Sequence, residues 1–216
     1  VSRINEISSQ SKKTILDKIK NTHLSFEKIP TMDPIEHIKT SDDMYSELKE
    51  KMSANKYIVE ESSLEELEEK INQIVKSYGY KSLIYPDNLN LDINKIEAEK
   101  KTCFNQEIEK IRKEVFHSDF SIIQARVGVS SHGVALVLSD KTQPRMLSLA
   151  PMLCIVLLKK ENIVKSISQA LNLVKEENEI LPSNILFIAG PSRTADIELI
   201  TVFGVHGSQK VHIILY

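Results

Sequence analysis

Apolar positions recur with a helical period through the first half of the chain and gather into short continuous runs through the second. Ile4, Ile7, Ile15 and Ile19 form a narrow stripe on an otherwise polar segment ending near Asn21. Such a helix is not stable unaided, so it is expected to dock on another subunit or on a second copy of itself. Phe26 to Pro34 reads as a connector with two prolines, and Ser41 to Met52 as a second helix. Tyr57-Ile-Val59 reads as a short strand. Ser63-Leu-Glu-Glu66 is a capping box ahead of Leu64, Leu67, Ile71, Ile74 and Tyr78 at helical spacing, with Gly79 as the stop. Ser82-Leu-Ile-Tyr85 follows as a strand, which makes a βαβ unit with parallel strands and a right-handed crossover. Pro86-Asp-Asn reads as a turn, and Phe104 to Phe116 as an amphipathic helix with Ile108, Ile111, Val115 and Phe116 inward.

From there the pattern turns to strands. Phe120-Ser-Ile-Ile123, Val134-Ala-Leu-Val-Leu138 after a turn at Gly133, and Met152 to Leu158 read as strands, with a polar loop at Asp140 to Arg145. A helix through Ile163, Ile167, Ala170, Leu171 and Val174 would return the chain to Ile185–Ala189, a second βαβ unit. Ile185–Ala189 is a continuous apolar run, predicting a strand buried on both faces. Gly190-Pro191 stops it. Ser192 and Thr194 are N-cap candidates for a short helix, with Asp196 and Glu198 in its first turns and Gly204 as its stop. Val211 to Leu215 is the last strand. The alternation predicts an α/β protein with a mostly parallel sheet and flanking helices. An N-terminal helical arm over 1–30 would precede an α/β domain over 31–216.

Charge changes this picture little. Residues 1–118 carry 19 basic and 22 acidic side chains against 9 and 8 in residues 119–216, so the first part supplies solvated helices and the second most of the sheet. The acidic run Glu60-Glu61 to Glu68-Glu69 reads as a solvated helix face. A net charge of −2 and the lack of a basic run interleaved with aromatics point away from nucleic acid. No apolar stretch approaches bilayer length and the amino terminus shows no signal-peptide pattern, so a cytoplasmic location is expected. Cys103 and Cys154 are far apart and read as reduced thiols.

Candidate chemistry gathers near the carboxyl end. A strand running into a capped helix would leave free amides beside Arg193, a site for phosphate or carboxylate; alternatively Arg193 pairs with Asp196 or Glu198 and the loop is only a turn. The six histidines show no paired-ligand spacing, and no metal site is predicted. Phosphate-binding and dinucleotide glycine motifs are absent, and Ser192 lacks a nucleophile elbow. His212 reads as a packing or edge residue of the last strand, and His206 as a loop residue open to a ligand role.

The block Gly190-Pro-Ser-Arg-Thr-Ala-Asp-Ile-Glu198, with Gly204-Val-His-Gly207 and Val211-His-Ile-Ile-Leu215, resembles the C-terminal signature of the LUD-domain family, within it the lactate-utilization branch. Arg145 and Ser148-Leu149 followed by Pro151 resemble the family's Arg…Ser-Leu-x-Pro turn. Two family acids are replaced: Arg126 stands at one acidic position, and Ser131-His132-Gly133 stands for Glu-Ser/Thr-Gly. The resemblance implies the fold shared by glucosamine-6-phosphate deaminases, ribose-5-phosphate isomerases and CoA transferases. It implies an accessory subunit, without a cluster of its own, of a cytoplasmic iron–sulfur system oxidising L-lactate to pyruvate, with the clusters in partner subunits. The alternative is a stand-alone enzyme or sensor of a phosphorylated or CoA-linked metabolite at the Gly190–Thr194 loop. The expected ligand set is Gly190, Pro191, Ser192, Arg193, Thr194 and Asp196 with Arg145, Ser131, His132, Gly133, His206 and Gly207, binding a small anionic metabolite; no catalytic residue is assigned.

Overall fold

The computed structural model describes residues 2–21, 38–195, 201–203 and 207–216. The chain divides into two compact units, Val1–Asp33 and Pro34–Tyr216. The first holds helix α1 (Ser2–Asn21), where Lys18 and Lys20 in the last turn suit the helix dipole and Ile15, Leu16 and Ile19 are exposed. The connector read at Phe26–Pro34 lies outside the described residues.

The second unit begins with α2 (Met44–Ala54), β1 (Ile58–Glu61), α3 (Leu67–Tyr78), β2 (Ser82–Tyr85), β3 (Lys100–Cys103), α4 (Arg112–His117) and β4 (Phe120–Gln124). It continues with β5 (Val127–Val129), β6 (Val134–Ser139), β7 (Leu153–Leu158), β8 (Ile163–Val164), α5 (Ile167–Glu177) and β9 (Asn184–Ile188). A ribbon of β10 (Arg193–Ala195) and β11 (Thr201–Phe203) and the strand β12 (Lys210–Leu215) complete it. Six strands form a parallel sheet in the order β1-β12-β7-β4-β2-β3, so the mostly parallel α/β architecture read from the sequence is present. A second sheet, β8-β5-β6-β9, is mixed.

Strand alternation sorts the side chains into layers. Leu153, Ile155 and Leu157 of β7 join Leu67, Ile71, Ile74 and Val75 of α3 on one face of the parallel sheet. Cys154, Val156 and Leu158 face the other way, into a core with Leu48 and Met52 of α2 and Ala135 and Val137 of the second sheet. The far face of that sheet, with Val127, Val129 and Leu136, packs on Ala170 and Val174 of α5. All six β7 side chains are buried because both faces of their sheet are covered, and each of the five Leu, Ile and Val side chains contributes about 1.5–3 kcal/mol.

The first βαβ unit is present, with β1 and β2 parallel in one sheet and β12, β7 and β4 between them. Several expectations are corrected. Ser63 Oγ and Glu66 do bond, yet a turn intervenes, α3 starts at Leu67, and Leu64 is exposed. The helix expected over Phe104–Phe116 contracts to α4, leaving Phe116 exposed. Ile163 belongs to β8, and α5 starts only after Ser166, which forms the capping box with Gln169. The predicted second βαβ unit is absent: β9 lies in the other sheet, antiparallel to β6, and is half-buried throughout rather than buried on both faces. No helix starts at Ser192 or Thr194, because Arg193–Ala195 pairs as a strand with Thr201–Phe203. Gly204 lies outside the described residues. No helix among the described residues is long and apolar enough to cross a membrane.

His212, inside β12, ties the sheet to α3. The residue is 4% exposed, Nε2 lies 2.9 Å from Tyr78 Oη, and Nδ1 is buried without a hydrogen bond, 3.9 Å from a Glu60 oxygen. Burial, then the nearby Lys210 ammonium, push its pKa from the ordinary 6.5 down to about 4. The unfolded chain therefore takes up the proton first, so the stability from neutral His212 is complete above pH 6.5 and shrinks as pH falls towards 4. The loss across that window should reach about 3 kcal/mol. Urea unfolding at pH 7 and pH 4 should show this slope in the wild type and a shallower one in His212→Gln; equal slopes would remove His212 as its source.

Candidate functional site

Two places draw polar side chains together, at opposite ends of the parallel strands. The first holds most of the residues singled out in the sequence. It is built where α2 ends, against the turn joining β5 to β6 and the loop leaving β9. Gly133, at φ +61°, approaches so closely that a Cβ there would lie 2.4 Å from the Lys51 carbonyl carbon. Gly190, at φ +83°, would bring a Cβ to 2.0 Å from the Asn55 carbonyl oxygen. Asn55 Nδ2 donates to the His132 and Gly133 carbonyls at 2.9 and 3.0 Å, and Lys51 Nζ donates to the Ser131 carbonyl at 2.9 Å. Tyr57 Oη donates to the Ile188 carbonyl at 2.7 Å. These bonds clamp both loops onto the helix end.

A buried carboxylate supports the clamp. Glu47 is 5% exposed and accepts from Lys51 Nζ at 2.7 Å and from the Ser41 amide at 3.1 Å. Burial raises its pKa, but Lys51, Ser130 and the Ser41 amide together hold it below the ordinary carboxylate value. Ser131 Oγ lies 2.8 Å from His132 Nδ1, but no carboxylate among the described residues bonds the far side of that ring. A serine–histidine pair without an orienting acid is incomplete as a nucleophilic device.

The same loop continues to the amino ends of β7 and β12. The Ser192 amide donates to the Ser208 carbonyl at 3.0 Å, and Ser208 Oγ donates to the Pro151 carbonyl at 2.8 Å. A Cβ on Gly207 would lie 3.0 Å from Ser192 Cβ. The fold therefore brings Ser131, His132, Gly133, Gly190, Pro191, Ser192 and Gly207 into one neighbourhood. Arg193 and Thr194 are exposed on β10, and Arg193 Nη2 donates to the Ala189 carbonyl at 3.2 Å. Arg145 is exposed at the start of a single helical turn, its carbonyl taken by Ser148 Oγ at 2.9 Å. Asp196 and His206 lie outside the described residues.

One chemical expectation changes. The cradle of helix-terminal amides beside Arg193 is absent, since that segment is a strand. Arg126 and His132 do not share a pocket: they sit at opposite ends of the β5–β6 hairpin, about 15 Å apart at strand rise. Arg126 is held in a bidentate pair by Glu177 at the end of α5, which cancels its charge.

The second place is a cleft of about 280 Å³ at the carboxyl ends of β2, β4, β7 and β12, lined by Asn88, Asn90, Gln124, Lys159, Asn162 and Tyr216. Its floor is fixed by two glutamines. Gln143, 7% exposed, accepts from the Gln124 amide at 2.8 Å and donates to the Gln124 carbonyl at 3.0 Å, standing in for a neighbouring strand. The Gln124 side chain donates to the Leu157 carbonyl at 2.9 Å and accepts from Tyr216 Oη at 3.1 Å. Residue spacing carries no sign of this cleft, because its parts come from four separate loops. The signal that finds it is topological: ligands of open α/β sheets sit beyond the carboxyl ends of the strands.

The comparisons with known proteins agree with this architecture. The LUD domain model matches residues 45–216. The chain is 28% identical over 176 residues to Lactate utilization protein C of Halalkalibacterium halodurans, covering 78% of this chain and 76% of that protein. It is 27% identical over 177 residues to Lactate utilization protein C of Macrococcus caseolyticus, covering 79% and 77%. A crystal structure of a DUF162 family protein from Deinococcus radiodurans superposes with a TM-score of 0.59 at 16% identity, covering 82% of this chain and 99% of that one. At that identity the likeness concerns the fold.

The clamp at α2 makes a testable distinction among glycines. Gly133→Ala and Gly190→Ala force a Cβ into backbone atoms at positive φ, so each should cost more than about 2 kcal/mol. Gly79 also has positive φ, +68°, but open space around it, so Gly79→Ala should cost only about 1 kcal/mol. Denaturant midpoints of the three variants rank them, and equal losses would contradict the close-packing account.

Proposed function

The chain belongs to the LUD domain family, and we propose that it is an accessory subunit of a cytoplasmic iron–sulfur system that oxidises L-lactate to pyruvate. The observation that carries this reading is the similarity, over about three quarters of both chains, to proteins named Lactate utilization protein C. Lactate oxidation releases two electrons and two protons, so the system needs an electron carrier. This chain's own thiols are a poor source of cluster ligands. Clusters of this kind are typically held by four thiolates, and this chain has two cysteines. Cys103 is on β3 and Cys154 on β7, three strand spacings apart, or about 14 Å. Burial pushes the Cys154 thiol up to about 12, and burial with the neighbouring Asp87 pushes Cys103 up to about 11, so both favour the neutral form. Iron–sulfur partner subunits would supply the carriers, and this chain would help to assemble or regulate them.

The test has two parts. Deleting the gene should abolish growth on L-lactate as sole carbon source, and restoring it should rescue growth; undiminished growth on lactate would sink the reading. The chain purified alone should be colourless, with less than about 0.1 iron per chain, since two distant thiols do not complete a cluster. Stoichiometric iron bound by these two cysteines would reverse the assignment of the clusters to partners.

A further inference from the structure

The cleft at the carboxyl ends of the strands lies where the chain reverses direction across the sheet. From β2 the chain moves outward to β3, whereas from β4 it moves the other way, through the second sheet, to β7. The adjacent ends of β2 and β4 thus part in opposite directions and leave a crevice between their loops. Asn88 and Asn90 follow β2, Gln124 ends β4, and Lys159 and Asn162 follow β7.

What these groups have left to offer defines an occupant. Gln124 and Gln143 are committed to backbone groups and to Tyr216. Asp140 Oδ1 is turned into its own loop, accepting from the Thr142 amide and hydroxyl at 2.7 and 2.6 Å and from the Gln143 amide at 2.9 Å. By contrast, the side-chain amides of Asn88, Asn90 and Asn162 make no hydrogen bond among the described residues. Lys159 has only a long pair, 3.7 Å, with the exposed Glu161. Tyr216 Oη donates to Gln124 and keeps its acceptor lone pairs. The uncommitted set presents about nine donor hydrogens, three of them on the Lys159 ammonium, against about eight acceptor lone pairs. A molecule that carries hydroxyls, which both donate and accept, together with an anionic group matches it: hydroxyls toward the carboxamides and the anion toward Lys159.

We propose that this cleft binds a small hydroxylated anion, with its carboxylate or phosphate at Lys159 and its hydroxyls at Asn88, Asn90 and Asn162. Because the two glutamines already hold the floor, a ligand does not have to order it. The proposal rests on the cleft's own uncommitted groups and stands apart from the lactate-oxidation reading.

Calorimetry on the full chain tests this with D-gluconate as the carboxylate probe and glycerol 3-phosphate as the phosphate probe, against glycerol, acetate and inorganic phosphate. One of the two hydroxylated anions should bind with Kd at or below about 1 mM, at least about tenfold more tightly than the three controls. Which one binds identifies the anionic group. Lys159→Met and the double variant Asn88→Ala/Asn90→Ala change exposed side chains, so their thermal unfolding should match the wild type while affinity falls about tenfold. The proposal is overturned if neither probe binds below about 10 mM, if acetate or inorganic phosphate binds equally well, or if affinity survives both variants.

Discussion

The second unit depends on one strand having no solvent side. β7 is paired on both edges, by β12 and β4, and covered on both faces, so its six side chains feed two separate cores. A polar group there would be buried whichever way it pointed, which is why Leu153 to Leu158 contains none. The same constraint forces a partner for each face. α3 serves one, and the second sheet with α2 serves the other.

This explains what could be read from the pattern of apolar residues. Doubly covered strands such as β4, β7 and β12 announce themselves as continuous runs, and α3 and α5 as periodic stripes, α3 ending at Gly79. Other strands did not announce themselves. Lys100–Cys103 is mostly polar, because an edge strand is covered less and tolerates charge. Val127–Val129 and Ile163–Val164 are too short to show any period. Ile185–Ala189 misled in the other direction: an apolar run suggests burial on two faces, yet β9 is an outer strand whose residues are all half-buried.

The candidate site was legible in a similar, partial way. The residues of the Gly190 loop, the Ser131 turn and Gly207 do meet, but through backbone contacts with α2 and the amino ends of the strands. A helix start was inferred from Ser192 and Thr194, residue types that also suit a β-ribbon, where Thr has high propensity. Side-chain spacing cannot reveal a cleft assembled from Asn88, Gln124, Lys159 and Tyr216, because their proximity follows from strand order alone.

The close seating of Gly133 and Gly190 on α2 bears on how this signature should be read in other sequences. Both positions are occupied by backbone approach, with no room for any side chain. A lineage that gave up whatever chemistry its ancestors performed would still have to keep both glycines for as long as it kept α2 in place. Their presence in a sequence therefore reports the architecture, whatever side chains stand beside them at Ser131 and His132.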